Sequence, residues 1–324
     1  MLYLNKIKKP YLSDIQLFEK KFKTSLLSKV PLLDTITYYI FRNKGKQIRP
    51  LFIFICSNIC GKINDKTIRG AVLIELLHTA TLVHDDVVDE AKQRRGFFSI
   101  NYIWKNKISV LVGDFLLSKG LLISVKNKDY DLLEITSKAV EQMSEGELLQ
   151  IEKSRKYNLD EKSYFEIIRK KTASLIASCC SVGASSSTTD KKTINLFWEI
   201  GEYCGIAFQI KDDLLDFGKT SIIGKPASND IKEKKITLPL IYSLQNCSKK
   251  EKKEILFLFK KKEKSPKVIS DIISFIESKG GIDYAKSKMI QYKNKALTLI
   301  KSLPECSSKQ DLISLLNFVV EREK

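Results

Sequence analysis

The sequence predicts an all-α protein, and three observations support this prediction. Glycine and proline, which interrupt helices, are sparse, with 14 and 7 residues in a chain of 324. Apolar side chains recur at helical spacing, and no segment alternates between apolar and polar residues for long enough to predict a strand. Hydrophobic residues make up 43% of the chain, which suffices for a buried core. No linker or repeat divides the chain, so we predict one domain over residues 1–324.

The first half of the chain divides into helices at proline, glycine and capping residues. Pro31 separates the first two amphipathic stretches, Gly61 ends an apolar helix, and Asn64 or Asp65 can cap the long helix that follows. The predicted helices of this half are 11–29, 32–43, 51–60, one from about 65 through the first acidic motif, 98–105 and 108–126.

Asp129 and Asp160 can cap the next two helices, and a polar patch at 185–189 precedes the helix that carries the second acidic motif. The predicted helices of this half are about 130–153, 160–183, 190–217, 235–245, 250–263, 266–279, 282–302 and 308–322. The C-terminal helices at 250–322 are predicted to belong to the same domain.

The formal charge of +18 raises the question of nucleic-acid binding, but only eight of the 56 basic residues are Arg. The Lys runs lie on amphipathic stretches without interleaved aromatic residues, and the sequence contains no nucleic-acid motif. Arg offers a planar fork for phosphate oxygens that Lys lacks. Because Arg49, Arg94 and Arg95 all lie in the motifs described below, we expect them to bind phosphate.

The seven cysteines are scattered and form no CxxC pair, which favours buried reduced thiols over a zinc site or a disulfide framework. No run of eighteen uncharged apolar residues is present, and the stretch nearest to one, 108–125, is broken by Asp114 and Lys119. The N-terminus lacks the apolar segment of a signal peptide. We therefore expect a soluble, cytoplasmic protein.

An acidic cluster, Asp85-Asp86-Val87-Val88-Asp89, occurs on the long apolar helix. Asp85 and Asp89 are one turn apart on one face, where like charges cost a few tenths of a kcal/mol. If the helix ends near Gly96, the carboxylates also lie toward the unfavourable pole of its dipole. Mg²⁺ takes one or two carboxylates and completes its shell with water and substrate phosphates.

The same pattern occurs again as Asp212-Asp213-Leu214-Leu215-Asp216, at the end of another apolar stretch. A single DDxxD can be a solvated acidic face or a helix end, but two copies on apolar helices favour a binding site. Our hypothesis is that the two clusters face a common cavity and hold several Mg²⁺ ions and a diphosphate.

The motifs GKQIRP, HDDVVDE with RRG, KT, FQIKDDLLD, GKP and TLPLI follow one another in the order typical of the trans-isoprenyl diphosphate synthases, or polyprenyl synthetases. The chain resembles this family over about residues 30–245, and several stretches are most similar to octaprenyl-type synthases. The resemblance implies the all-α isoprenoid synthase fold, homodimerisation and head-to-tail addition of isopentenyl diphosphate to an allylic diphosphate, such as farnesyl diphosphate. It further implies two or three Mg²⁺ ions per active site and at most peripheral membrane contact.

The resemblance also implies roles for individual residues. Asp85, Asp89 and Asp212 would bind Mg²⁺, and Asp86, Asp213 and Asp216 would support the metal shell. The diphosphate and carbocation contacts would be divided as follows: Arg94, Lys171, Lys225 and Lys235 to the allylic diphosphate; Lys46, Arg49, His78 and Arg95 to isopentenyl diphosphate; Thr172 and Gln209 to the carbocation.

Plainer interpretations apply to several of these positions. Lys171, Lys225 and Lys235 would be ordinary surface lysines without the motifs around them. His78 can be a core histidine, although it lies seven residues before Asp85 on the same helical face. His84 is left out of the predicted site.

The loop after the second acidic motif departs from the family pattern. Lys234 stands where a Gly is usual, which suggests a positive φ and puts the placement of Lys235 in question.

Ala80 and Thr81 lie one turn before Asp85, where short-chain members of the family carry bulky aromatic residues. Because both are small, we expect a deep pocket and a long product, octaprenyl by resemblance, for a quinone side chain. The alternative is that they only permit close helix packing.

Two other functions are compatible with parts of the sequence. A catalytically silent subunit of a heteromeric synthase would usually lose acidic-motif residues, whereas this chain keeps all six. A basic helical protein that binds nucleic acid would explain the charge but not the two acidic motifs. We therefore expect an active long-chain prenyltransferase and no nucleic-acid partner.

Overall fold

The long apolar helix predicted to carry the first acidic motif is α5 (Asp65–Val88). Asn64 caps it: the Asn64 side chain accepts hydrogen bonds from the backbone N–H groups of Lys66 and Thr67, and the Thr67 hydroxyl accepts from the N–H of Asn64. Most positions of α5 are buried, as expected for a helix that is apolar around most of its circumference.

The computed structural model describes residues 2–43, 45–94, 96–156, 160–217, 229–261 and 263–321. Its helices, in chain order, are α1 (Leu2–Lys8), α2 (Leu12–Leu26), α3 (Pro31–Arg42), α4 (Ile48–Cys60), α5, α6 (Ile100–Lys126), α7 (Tyr130–Lys156), α8 (Glu161–Ile168), α9 (Ser174–Ser185), α10 (Lys191–Leu215), α11 (Asn229–Lys232), α12 (Leu238–Gln245), α13 (Lys249–Lys260), α14 (Pro266–Ser278), α15 (Gly281–Lys301) and α16 (Ser307–Glu321). A 3₁₀ turn (Lys9–Tyr11) follows α1, and a π-helix (Arg169–Ala173) joins α8 to α9. The all-α prediction is confirmed for the described residues.

The chain divides into two compact units. Unit 1 comprises Met1–Val140, Ser178–Trp198 and Leu303–Leu315, and unit 2 comprises Glu141–Ala177, Glu199–Ser302 and Leu316–Lys324. The assignment of residues 1–324 to one domain stays a prediction.

In unit 1, α4 contributes an unbroken run of buried residues from Pro50 to Ser57 to the core. Helix α6 packs closely on α5, where Gly120 lies against Leu73 and Leu77. In unit 2, the core forms around α12 and α15, and the backbone of Gly281 packs directly on the carbonyl oxygen of Pro239.

Two predicted boundaries need correction. Residues 2–8 form a helix, although the sequence analysis placed the first helix at 11. The first acidic helix ends at Val88 rather than near Gly96, and a short antiparallel hairpin follows, β1 (Gln93–Arg94) paired with β2 (Phe97–Phe98). Gly96, at φ 83°, provides the left-handed residue that this turn requires, and the hairpin was missed because two-residue strands carry no periodic signal.

Other predicted boundaries are confirmed. The two stretches predicted at 98–105 and 108–126 correspond to α6 with a non-helical Lys105 (φ 70°, ψ 162°) inside it. Asp160 caps α8 by accepting from the N–H of Ser163 at 2.7 Å.

Within the described residues, α6 is long and apolar enough to cross a membrane by length and composition, and 33% of its most apolar window is buried. Core helices of soluble proteins can have the same length and composition.

Candidate functional site

The first acidic motif occupies the C-terminal end of α5. Asp89 is the C-cap residue, and its N–H donates to the carbonyl oxygen of Asp85 at 2.8 Å. Asp85 is half-buried and Asp89 is exposed, whereas Asp86 is 4% exposed. The motif therefore lies at the negative end of the helix dipole, where carboxylates are unfavourable unless a cation binds them.

Asp86 is held by an arginine of the hairpin. Arg94 donates from Nε to Asp86 Oδ1 at 2.8 Å, and its Nη2 lies 2.7 Å from the same oxygen in an ion pair. Burial raises the pKa of Asp86, and the Arg94 guanidinium opposes this shift. Tyr39 ties the second strand of the hairpin by donating its hydroxyl to the carbonyl oxygen of Phe98 at 2.7 Å. Arg95 lies outside the described residues.

A cavity in unit 1 brings together four of the predicted residues, Arg49, His78, Asp86 and Arg94. Aromatic side chains form much of its wall: Phe18, Phe22, Tyr39, Phe97 and Phe98. The Arg49 guanidinium lies 3.5 Å from Glu75 Oε2, and both side chains are largely shielded from solvent. Cationic groups beside apolar walls can bind an anion that carries an apolar group.

The motif GKQIRP places its residues around the start of α4. Gly45 and Gln47 line the unit 1 cavity with Arg49. Gln47, the N-cap of α4, has left-handed backbone angles (φ 54°, ψ 41°), an arrangement that costs about 1–3 kcal/mol for a residue with a side chain. Lys46 is exposed, and its carbonyl oxygen accepts a hydrogen bond from Lys8.

Ala80 and Thr81 do not line the unit 1 cavity. Ala80 is fully buried, and Thr81 donates its hydroxyl to the carbonyl oxygen of His78 at 2.9 Å. Their predicted role in chain length therefore stays a prediction. His84 lies 3.2 Å from the carbonyl oxygen of Val110 and 3.6 Å from Asp114, which agrees with leaving it out of the site.

A cavity in unit 2 is lined by seven predicted site residues: Lys171, Thr172, Gln209, Asp212, Asp213, Asp216 and Lys235. They come from three separate parts of the chain, the π-helix, the end of α10 and the segment after α11. Lys225 lies outside the described residues. The sequence thus predicted seven of the 17 described residues that line this cavity.

Four of the lining residues form a continuous hydrogen-bonded chain. Thr172 donates to Gln209 Oε1 at 2.8 Å, and Gln209 Nε2 donates to Asp213 Oδ1 at 2.8 Å. Tyr164 donates its hydroxyl to Asp213 Oδ2 at 2.6 Å. Burial raises the pKa of Asp213 to about 7, although both hydrogen bonds lower it. Both oxygens of Asp213 are thereby used inside the protein, which fits a supporting role better than a metal-ligand role.

Lys171 lies in the π-helix (Arg169–Ala173), a backbone form that is frequent at functional sites. Its ammonium forms an ion pair with Glu147 and donates to Gln150 Oε1 at 3.2 Å. From the sequence, Glu147 and Gln150 are expected to be wall or packing residues rather than ligands. Gln150 lines the unit 2 cavity, and both side chains contact Lys171.

The segment after α11 keeps the backbone that a Gly would allow. Lys234 has a φ of 58°, the positive φ expected at a position where a Gly is usual. The backbone N–H of Lys235 donates to the carbonyl oxygen of Asp230 at 2.8 Å. Lys235 lines the unit 2 cavity, so the substitution at 234 does not remove it from the site. Its ammonium lies 2.6 Å from Glu233.

Asp230 was not predicted as a site residue, yet it lines the unit 2 cavity. Its backbone N–H donates to Asp216 Oδ2 at 2.9 Å. Burial, followed by the charge of Asp216, raises the pKa of Asp230 to about 6. Burial is the main cause of both raised carboxyl pKa values in this cavity, and neighbouring carboxylates add a smaller contribution that a bound cation would oppose.

Among the described residues, no three His, Cys, Asp or Glu side chains converge into a complete metal site. The carboxylates nevertheless fit Mg²⁺, because this ion is held by one or two carboxylates and takes its other ligands from water and substrate phosphates. Asp85 with Asp89 at the end of α5, and Asp212 with Asp216 in the unit 2 cavity, supply such pairs.

Sequence reasoning missed Tyr164 and Glu75. Tyr164 is buried with its hydroxyl on Asp213, and Glu75 contacts Arg49. Glu75 lies one turn before His78 on α5, so helical spacing could have placed it in the same cavity. Tyr164 carries no local signal, since its partner is 49 residues away in the sequence.

Comparison with known proteins gives consistent results. The polyprenyl synthetase family model matches residues 30–276. The octaprenyl diphosphate synthase of Escherichia coli (strain K12) is 31% identical over 303 residues, covering 92% of this chain and 93% of that protein. The decaprenyl-diphosphate synthase of Dictyostelium discoideum is 34% identical over 296 residues, covering 91% of this chain and 63% of that protein.

A crystal structure of polyprenyl synthase from Caulobacter crescentus CB15, complexed with calcium and isoprenyl diphosphate, has a TM-score of 0.90 and 30% identity. The match covers 99% of this chain and 98% of that one. The expected isoprenoid synthase fold is confirmed. The two acidic motifs, the basic motifs around them and these similarities agree, and the chain belongs to the polyprenyl synthetase family.

Proposed function

We propose that this protein is an active long-chain prenyltransferase that adds isopentenyl diphosphate units head-to-tail to an allylic diphosphate. One observation carries the proposal: the second acidic motif lines a cavity with Lys171, Thr172, Gln209 and Lys235. Carboxylates for a cation, ammonium groups for phosphate and neutral polar groups between them are what ionisation of an allylic diphosphate requires. All six acidic residues of the two motifs are present, which argues against a silent subunit.

The residues of the unit 2 cavity would have different roles in binding and ionising the allylic diphosphate. Asp212, with Asp216 beside it, would hold Mg²⁺, and Lys171 and Lys235 would bind the diphosphate. Asp213 positions Gln209, which in turn holds Thr172, so the neutral oxygens of Gln209 and Thr172 are fixed for a developing carbocation. When bound, Mg²⁺ would supply Lewis-acid neutralisation of the diphosphate leaving group. Lys225 and Arg94 are proposed further contacts of this diphosphate.

The residues of unit 1 would serve isopentenyl diphosphate and the metal. Asp85 and Asp89 lie one turn apart at the end of α5 and would hold Mg²⁺. Arg49 and His78 share one cavity and, with Lys46 and Arg95, would bind the isopentenyl diphosphate group. Glu75 and Asp86 hold Arg49 and Arg94 before substrate arrives. The calcium and isoprenyl diphosphate bound by the Caulobacter crescentus protein support a divalent cation with a diphosphate in this family.

We further propose octaprenyl diphosphate as the product, farnesyl diphosphate as the starter and a ubiquinone side chain as the destination. The small residues Ala80 and Thr81 support a long product. The names of the relatives, octaprenyl and decaprenyl, support a long chain without fixing its length.

A homodimer is proposed from the family resemblance and from the surface of α6. This helix exposes apolar side chains, of which Leu111 is 57% exposed and Leu122 50% exposed, and a second copy of the chain would cover them. Cytoplasmic localisation, with at most peripheral membrane contact for release of an apolar product, stays part of the proposal.

Product chromatography tests the proposed function. The purified protein is incubated with Mg²⁺, labelled isopentenyl diphosphate and farnesyl diphosphate, and the products are dephosphorylated and separated by chain length. We expect a ladder that ends at octaprenyl. Absence of any product beyond the starter, under conditions where a known synthase is active, would contradict the proposal.

A further inference from the structure

Two hydrogen bonds link the N-terminal helices to the turn of the GKQIRP motif. Lys8, the last residue of α1, donates Nζ to the carbonyl oxygen of Lys46 at 2.7 Å. Glu19, on α2, accepts a hydrogen bond from Gln47 Nε2 at 2.8 Å. Lys8 and Glu19 precede residue 30, where the family match begins, whereas their partners Lys46 and Gln47 lie within that match.

The residue held by Glu19 has a conformation that its own side chain does not stabilise. Gln47 is the N-cap of α4 with φ 54° and ψ 41°, and its side chain makes no capping hydrogen bond to the helix. A left-handed residue with a side chain persists only where its surroundings hold it in place. The Gln47 amide donates to Glu19 instead of capping α4, so this turn is linked to α2 by Gln47 and to α1 by the Lys8 bond to Lys46.

The turn positions groups that line the unit 1 cavity. Gly45 and Gln47 lie in its wall, and Arg49 follows in the first turn of α4. Helix α2 also contributes Phe18 to the same wall, directly before Glu19, and Phe18 is 1% exposed. Helix α2 is thus anchored by an aromatic side chain, and it presents a fixed acceptor to Gln47.

We infer that Glu19, assisted by Lys8, is a positioning residue for isopentenyl diphosphate binding. Glu19 holds the left-handed backbone of Gln47, and this backbone fixes the direction of Lys46 and of the first turn of α4 with Arg49. Neither residue needs to contact the substrate. The inference rests on the proposed function, because it assigns Lys46 and Arg49 to that substrate.

Steady-state kinetics on the full-length protein test the inference, with the two substrates varied separately. Glu19→Ala removes the acceptor, and we expect the KM for isopentenyl diphosphate to rise about tenfold, or about 1.4 kcal/mol. The KM for the allylic diphosphate should stay within twofold of wild type. Glu19→Gln keeps an acceptor oxygen and should behave like wild type. Gln16→Ala, an exposed position one turn earlier on α2, is the matched control.

An exchange of the two side chains keeps the test decisive if Glu19→Ala fails to fold. Gln47→Glu alone places two carboxylates together and should raise the KM for isopentenyl diphosphate. The double variant Glu19→Gln with Gln47→Glu restores one amide donor and one carboxylate acceptor, so it should return the KM toward wild type. Lys8→Met is expected to have a smaller effect in the same direction, with the exposed Lys6→Met as control.

The outcomes separate the inference from the proposed function. If the wild type incorporates no isopentenyl diphosphate, the proposed function fails. If the wild type is active but folded Glu19→Ala keeps its KM, or the exchanged pair gives no rescue over Gln47→Glu, the inference is wrong. An equal rise in both KM values would show a general structural role and would also overturn it.

Discussion

Gly146 on α7 packs directly against the backbone of Lys171, so that an added Cβ would lie 2.7 Å from the Lys171 nitrogen. No flexible side-chain end is involved, and backbone must move to make room. The π-helix that carries Lys171 and Thr172 therefore depends on the missing side chain at 146.

We predict that Gly146→Ala lowers turnover at least tenfold, about 1.4 kcal/mol of barrier, because it displaces Lys171 from its position in the unit 2 cavity. The helical circular dichroism should persist, since Ala favours a helix more than Gly. Gly61→Ala is a matched control, because its added Cβ would meet nothing closer than 3.4 Å. Wild-type kcat in Gly146→Ala would show that the π-helix adjusts without loss.

The left-handed backbone of Lys234 leads to a prediction about stability. Lys234→Gly should leave the melting temperature unchanged or slightly higher, because relief of strain offsets the greater entropy of the unfolded chain. Lys234→Val should lower stability by about 1–2 kcal/mol and reduce activity, since a β-branched residue tolerates positive φ poorly.

Denaturant unfolding of both variants checks this prediction, with Lys232→Val on α11 as the control. If Lys234→Val is as stable as Lys232→Val, the loop relaxes to another conformation, and the placement of Lys235 does not depend on residue 234.

Product length tests the role of Ala80. Ala80 is fully buried. If it only packs against a neighbouring helix, Ala80→Phe should lower the free energy of unfolding by about 1–3 kcal/mol and leave the products unchanged. If the growing chain passes this turn of α5, the ring instead fills the tunnel, and products should shorten toward farnesyl or geranylgeranyl diphosphate.

We predict the second result, with catalysis retained because the acidic motif is untouched. Chromatography of the products and a thermal melt are measured on the same preparation, and Ala80→Ser is the small control. A destabilised variant with the wild-type product distribution would identify Ala80 as a packing position.

Glu251 provides a pH-dependent contribution to the stability of α13. Its side chain pairs with Lys279 at 2.8 Å and accepts from the backbone N–H of Ser248 at 2.8 Å. The hydrogen bond from Lys279 is the largest of the contributions that lower the pKa of Glu251 from 4.5 to about 2, and the hydrogen bonds with Ser248 are the next largest.

Because the folded pKa lies below the unfolded one, this stabilisation is fully present above about pH 4.5 and is lost as the pH falls toward 2. Glu251→Gln should therefore have a lower melting temperature than wild type at pH 6, and this difference in melting temperature should be smaller at pH 3. Glu254→Gln, exposed on the same helix, should show no such difference. Calorimetry at both pH values measures these melting temperatures. A difference that does not change with pH would show that the Glu251 carboxylate is not its cause.

Helical spacing and capping residues predicted most elements correctly, because α5, α8 and α10 each begin at a polar residue and carry long apolar faces. The motifs predicted seven residues of the unit 2 cavity, since DDxxD and KT are local in sequence. The hairpin at 93–98 was missed because its signal is a single left-handed Gly96.

Contacts over long sequence separation could not be predicted. The Tyr164–Asp213 and Glu19–Gln47 hydrogen bonds join residues 49 and 28 positions apart, and neither pair has a periodic relation. The ion pair between Glu147 and Lys171 is likewise absent from the sequence pattern, because the two residues lie on different helices. The local chemistry of the site is thus readable in the sequence, whereas the groups that hold it in place are a property of the fold.

The central claim is that the two acidic motifs activate an allylic diphosphate, and the initial rate of labelled isopentenyl diphosphate incorporation tests it most directly. The rate is measured at saturating Mg²⁺ for wild type, Asp85→Ala, Asp212→Ala and the exposed control Asp283→Ala. We predict that Asp85→Ala and Asp212→Ala lose more than nine-tenths of the activity, at least about 1.4 kcal/mol of barrier, while keeping wild-type helicity and equal or higher heat stability. If either variant keeps more than about a tenth of the wild-type rate, the assignment of that motif to the metal and the diphosphate is wrong.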